Sequence, residues 1–294
     1  MALTVSFARM VQFLSAAVLF GAPLFFVYAT PLSGAWRRTL LAGAIIAMAL
    51  GILAAAGMQA AELSGASGLP APQDISWYFL DTRIGNIAIV RLLILAGCGF
   101  AIWRLPLGAP CFAVLAALGA LILASFAWTG HGAEDGAVRT AAYVVHLLMA
   151  GVWAGALAAL LGGILASRAG YLPPEAVAHG LAAFSRVGVA VVGLLVASGI
   201  ANAILTFGIP SWSSLRSAYG ITLMAKLVLF ECMIALAALN RYRFSPGLDA
   251  ALLTTQSARP QLRALCWSLV LETTLAIAVI GLAAHLGSLE PPGP

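Results

Sequence analysis

The groups in this sequence that can hold a metal or move a proton are few, and their placement is uneven. His131, His146 and His285 stand at or near the ends of long apolar stretches, and Met149 follows His146 by three residues. On a helix that spacing puts imidazole and thioether on one face. The donor pair suits copper, Cu(I) above all, better than hard cations that want oxygen. Met58 and Met10 are further thioethers within reach of the same membrane depth. Two ordinary roles compete with ligation: a membrane histidine also serves as a packing hydrogen-bonder, and methionine fills irregular cores. His179 reads as a solvated residue near a helix start. Arg91, Lys226, Glu231 and Glu272 interrupt apolar stretches. Each costs several kcal/mol in lipid unless paired or hydrated. The expected arrangement pairs the two cations with the two acids between the halves of the chain, with a proton-carrying role open to either acid. Cys98, Cys111, Cys232 and Cys266 contain no CxxC, so no disulfide framework is expected. Cys111 and Cys266 are either a low-affinity exit for Cu(I) or plain buried thiols.

The elements that must position these groups are membrane helices. Of 294 residues, 62% are hydrophobic and 9% charged, against about a quarter charged in soluble domains. The mean hydropathy is +1.02. Residues 10–36, 39–61, 105–133, 140–167 and 187–215 contain no Asp, Glu, Lys or Arg. Each exceeds the roughly 20 residues that cross about 30 Å of hydrocarbon. Three more stretches, about 84–103, 217–240 and 264–287, carry one or two ionisable groups, for eight spans in all. Leu- and Ala-rich runs without period-2 alternation mean helices, not a β-barrel. The longest connections, about 64–83 and 241–261, leave no room for a soluble domain. The net charge of +5 does not point to nucleic acid, because the arginines are spread over alternate loops. Arg37, Arg38, Arg104, Arg168, Arg186, Arg241, Arg243, Arg259 and Arg263 fall on one side, which the positive-inside rule makes cytoplasmic. Both termini are then expected outside, with Glu62, Asp74, Asp81, Glu134, Asp135 and Glu290 on the same side to favour cation approach. The first span, lacking a basic leader and a cleavage site, is expected to be retained.

The chain also repeats itself. Gln12 to Gly21 can be laid on His146 to Gly155; Gly85 followed by Arg91 recurs as Gly220 followed by Lys226; Ala55–Gly57 recurs as Ala197–Gly199, each followed by an amide, Gln59 or Asn202; and His131 recurs as His285. An even number of spans re-enters on the same side, so the expected architecture is all-α, with residues 1–135 and 136–294 as two parallel four-helix repeats.

The stretch Trp128-Thr129-Gly130-His131, followed by His146 to Gly155 with Trp153, resembles the copper resistance protein D family (CopD/PcoD). Phe184-Ser185-Arg186, Ala197-Ser198-Gly199 with Asn202, Tyr219-Gly220, Lys226 and Asn240-Arg241 are similar to that family's second half. The resemblance implies an inner-membrane protein that moves copper, working beside a small periplasmic copper-binding protein of the CopC type. With it, the copper-ligand expectation is His131, His146 and His285, with Met149 and Met58 secondary. A b-type haem protein with histidine axial ligands is the distinct alternative, and a non-transporting copper scaffold or sensor is the third. No nucleotide-binding lysine motif, hydrolase triad or zinc-protease motif is present, so no enzymatic activity is expected.

Overall fold

The computed structural model describes residues 2–29, 32–65, 68–129, 136–207, 212–254 and 257–289, and these are helices and short connections without a strand. In chain order the helices are α1 (Ala2–Tyr28), α2 (Trp36–Ser64), α3 (Pro72–Asp81), α4 (Arg83–Arg104), α5 (Ala109–Ser125), α6 (Ala137–Arg168), α7 (Pro174–Phe207), α8 (Trp212–Arg216), α9 (Ala218–Leu239), α10 (Ser245–Leu253) and α11 (Arg259–Leu286). Eight of the described segments are long and apolar enough to cross a membrane. The protein is therefore an all-helical membrane protein with multiple spans. The start of α1 lies beside the end of α11, where the Arg9 guanidinium donates to the Gly287 carbonyl at 3.0 Å and the Ser6 and Ser288 hydroxyls meet at 3.4 Å.

Helix α1 is the hub. It packs against α2, α5, α6 and α11, and Ala16, Leu19, Ala22 and Phe25 on it are wholly enclosed. What lets it approach so many neighbours is a lack of side chain. A Cβ on Gly21 would strike the Gly151 carbonyl of α6, one on Gly155 would strike the backbone of Gly21 and Ala22, and one on Gly119 would strike the backbone at Leu19. In lipid no hydrophobic effect pulls helices together, so close van der Waals approach through small residues does that work. Within residues 2–129, α1 packs on α2 and α5, and α4 on α2 and α5; within residues 136–289, α6 packs on α7 and α11, and α9 on α11.

The third span of each half starts the same way. Thr82 caps α4, its hydroxyl accepting from the Gly85 amide at 3.0 Å and donating to the Tyr78 carbonyl at 2.6 Å; Ser217 caps α9, accepting from Gly220 at 3.0 Å and donating to Ser214 at 2.6 Å. At both positions glycine is required because the preceding carbonyl, of Tyr78 or of Ser214, occupies the place of a Cβ.

The two connections expected to be loops hold helices instead. Residues 72–81 form α3, whose first turn is closed by Asp74 accepting from the Ala71 amide at 3.1 Å. Tyr78 of α3 is buried, and its hydroxyl donates to Gln59 at 2.8 Å. Burial pushes this phenol up, against the pull of the Arg91 charge, so it stays a donor. Beyond α9 the chain continues through a π-turn, Asn240–Phe244, into α10. Pro246 has no amide hydrogen to donate, and a widened turn just before it absorbs the missing bond. Likewise α7 begins at Pro174, so Arg186 lies well inside a helix and His179 is exposed near its start.

Gly155→Ala should therefore destabilise the protein by about 1–3 kcal/mol through overpacking. Gly193→Ala, where a Cβ meets nothing within 4 Å, should be neutral or gain up to about 1 kcal/mol of helix propensity. Unfolding midpoints of the two variants in detergent check the contrast, and equal effects would show that the crossing is not a close contact.

Candidate functional site

Two polar niches are cut into this apolar bundle, one in each half. In the first, Gln12 of α1 donates its amide to the Gly51 carbonyl of α2 at 2.9 Å, and its Oε1 accepts from the Arg91 guanidinium of α4 at 3.4 Å. Arg91 is 5% exposed. Its Nε donates to Ser125 Oγ at 2.7 Å and its Nη2 to Thr129 Oγ1 at 3.2 Å, and the guanidinium lies over the Phe126 ring at 3.9 Å. Ser125 and Thr129 can accept because each donates its own proton backwards, to Ile122 at 2.6 Å and Phe126 at 3.2 Å. A planar fork held on this many sides is a brace.

The second niche is built on His146 of α6. Its Nδ1 lies 3.2 Å from the Leu195 carbonyl and 3.1 Å from Ser198 Oγ, both on α7. A carbonyl can only accept, and Ser198 commits its hydroxyl proton to Leu194 at 2.6 Å, so Nδ1 carries the hydrogen. Nε2 is then the nitrogen with the free lone pair. This is how metal-binding imidazoles are held, with one nitrogen tied to a backbone oxygen and the other presented. Gly199 gives the ring room: a Cβ there would sit 3.4 Å from its Cε1. Lys226 of α9 is half-buried at the position that the sequence repeat lays on Arg91. Among the described residues no hydrogen bond or ion pair fixes the Lys226 ammonium, and the residues that the sequence repeat lays on Ser125 and Thr129 are Val279 and Ala283, which offer it no hydroxyl.

Glu272 lies midway along α11, 1% exposed. Its Oε1 accepts from the Trp153 indole of α6 at 3.0 Å and its Oε2 from the Asn240 amide at 2.8 Å. The Trp153 ring is held edge-on by Phe230, centroids 5.9 Å apart. The ion pairs expected from the sequence are thus not the ones formed. Arg91 is held by neutral acceptors, Glu272 by neutral donors, and Glu231 is exposed on the outer surface of α9. Charge and depth along a helix can be read from sequence, but the direction in which a side chain leaves it depends on helix rotation.

The expected ligand set is placed as follows. His146 and Met149 share α6, with Met149 against the core; Met58 is half-buried on α2; His285 is half-buried at the end of α11, its Nδ1 3.5 Å from Ser288 Oγ. His131, with Glu134, Asp135 and Glu290, lies outside the described residues. Among the described residues no three His, Cys, Asp or Glu side chains gather into a group able to hold a metal; the expected three-histidine set includes His131, which lies outside them. Cys111 and Cys266 are buried free thiols, the latter accepting from Arg168 at 3.4 Å. Of the partners, Ser125 is the one that the sequence reading passes over; Thr129, Trp153, Ser198 and Asn240 stand in the motifs that carry the family resemblance, but their spacing does not name the group each one bonds.

These features define a class, the multi-pass helical membrane protein with ionisable groups buried in its bundle. The profile of a family described as copper resistance protein D matches residues 178–286, and that of the copper resistance protein D-like N-terminal domain matches residues 1–140. The copper resistance protein D of Pseudomonas syringae pv. tomato is 32% identical over 292 residues, covering 93% of this chain and 92% of that protein. The chain belongs to the copper resistance protein D family. No solved structure matches it.

Ser125→Ala leaves the Nε–H of a buried guanidinium without an acceptor and should cost about 1–3 kcal/mol. The unfolding midpoint of the purified variant in detergent measures it, and an unchanged midpoint would show that Arg91 is hydrated from elsewhere.

Proposed function

We propose that this chain carries copper across the bacterial inner membrane, and that the niche around His146 is where the metal passes. One observation supports this above the others: His146 is tied through Nδ1–H to Leu195 and Ser198, which leaves Nε2 as a free donor one turn from the Met149 thioether. That is a soft, prepared ligand pair, in a chain whose family is associated with copper resistance. In this proposal the protein acts as a carrier.

The finer parts of the proposal rest on the same residues. Both termini face the periplasm, as the excess of arginine at the opposite helix ends indicates, so His146 lies in the outer half of the membrane. His285 at the end of α11 and His131 before α6 are the entry ligands, with Met58 as a further thioether on α2. A periplasmic copper-binding protein of the CopC type delivers the metal to the acidic outer side. The two halves are parallel repeats related by rotation about the membrane normal. The matching caps at Thr82 and Ser217, and the contact between Gly21 and Gly155 that the repeat lays on each other, support that relation.

In liposomes containing the purified protein and an internal Cu(I) indicator, copper entry should be seeded by wild-type protein, and His146→Ala should lower the initial rate on the order of tenfold or more. Equal rates for wild type and variant would remove His146 from the path. A Soret band with stoichiometric iron in the purified protein would replace the copper proposal with the haem-binding one.

A further inference from the structure

The surroundings of Glu272 are those of an ion site. Two lone pairs of its carboxylate are used by the neutral donors Trp153 and Asn240; a carboxylate offers about four. The amide that donates to Glu272 through Nδ2 carries its Oδ1 on the same carbon. That oxygen is buried and takes no hydrogen bond, with Asn240 6% exposed. Ser268, one turn before Glu272 and on the same face of α11, is 8% exposed, and its Oγ likewise has no partner. Carboxylate, amide carbonyl and hydroxyl are oxygen donors. They suit a small hard cation and not Cu(I), which favours sulfur and imidazole.

Among the described residues, the side chains that bond to Glu272 are the neutral Trp153 and Asn240, and none supplies a positive charge. From α6, Arg139 reaches Thr206, Arg168 reaches Cys266 and His146 is tied to α7; from α9, Lys226 is half-buried and Glu231 is exposed. In the π-turn, Arg241 donates to the Ser185 carbonyl at 2.6 Å and Arg243 is exposed. Asp249 of α10 is exposed, and Arg9 of α1 is bonded to Gly287. On α11 itself Arg259, Arg263 and His285 lie nine or more residues away, at least about 13 Å along the axis.

We propose that Glu272, Asn240 and Ser268 bind an exchangeable small hard cation, a proton or Na⁺. Two features connect the site to the rest of the protein. Asn240 opens the π-turn, a local widening of the kind found at functional positions. Trp153 follows His146 by seven residues, two turns along the same face of α6 and about 10 Å deeper, so one helix contacts both the copper niche and the cation site. That the cation drives copper movement rests on the transport proposal above; that the site binds a cation does not.

Infrared difference spectroscopy of the full chain in copper-free lipid bilayers tests the binding directly. In wild type, a protonated-carboxyl C=O band should appear as pH falls if the cation is a proton. If it is Na⁺, carboxylate bands should change on replacing choline chloride with NaCl at fixed pH. Glu272→Gln should abolish the response, and Asn240→Ala should displace its midpoint about tenfold in H⁺ or Na⁺ concentration. A wild-type spectrum indifferent to both pH and Na⁺, or a response that persists unchanged in Glu272→Gln, would overturn the proposal. Because no copper is present, the result stands whether or not the chain carries copper.

Discussion

The backbone contact between α1 and α6 is the constraint on which the other features depend. Gly21, Gly151 and Gly155 remove the side chains that would hold the two helices apart, and α1 then has room to touch α5, α2 and α11 as well. Gln12 lies on α1 and His146 on α6. With these helices fixed against each other, Gln12 turns to α2 and His146 to α7. Each niche is thus closed by the second helix of its own half. A shift of the crossing by one side chain would move both niches and the indole that reaches Glu272 from the same helix.

The two niches use positions that the sequence reading lays on each other for different physical ends. In the first, a guanidinium finds two hydroxyls, an amide oxygen and an aromatic face, and the niche is filled by protein. In the second, imidazole replaces the amide and ammonium replaces guanidinium, while the hydroxyl positions are apolar. Lysine is a flexible point charge and arginine a rigid fork, so the second niche lacks the brace that Arg91 provides in the first.

Much of the fold was legible in the residues. Eight apolar runs required eight helices, because backbone groups in lipid have to be satisfied within the segment. Gly85 with Arg91 and Gly220 with Lys226 marked a recurring local structure, and the Trp128 to Arg241 motifs pointed to the copper resistance protein D family. The polar contacts were less legible. Charge balance alone suggested that Arg91 and Lys226 meet Glu231 and Glu272, yet helix rotation leaves Glu231 on the outer surface and gives Glu272 to Trp153 and Asn240. Neutral donors hide among ordinary residues of an apolar span, and nothing in their spacing names the partner. The connections at 64–83 and 241–261 hold α3 and α10, with Pro72 and Pro246 in their first turns.

The central claim is that copper is held, during its passage, by the imidazole presented in the second niche. X-ray absorption at the copper edge of the purified, Cu(I)-loaded protein measures this most directly. The account predicts imidazole scattering together with a sulfur shell, with the imidazole contribution reduced in His146→Gln while the variant stays folded. Copper spectra identical in wild type and His146→Gln would contradict it.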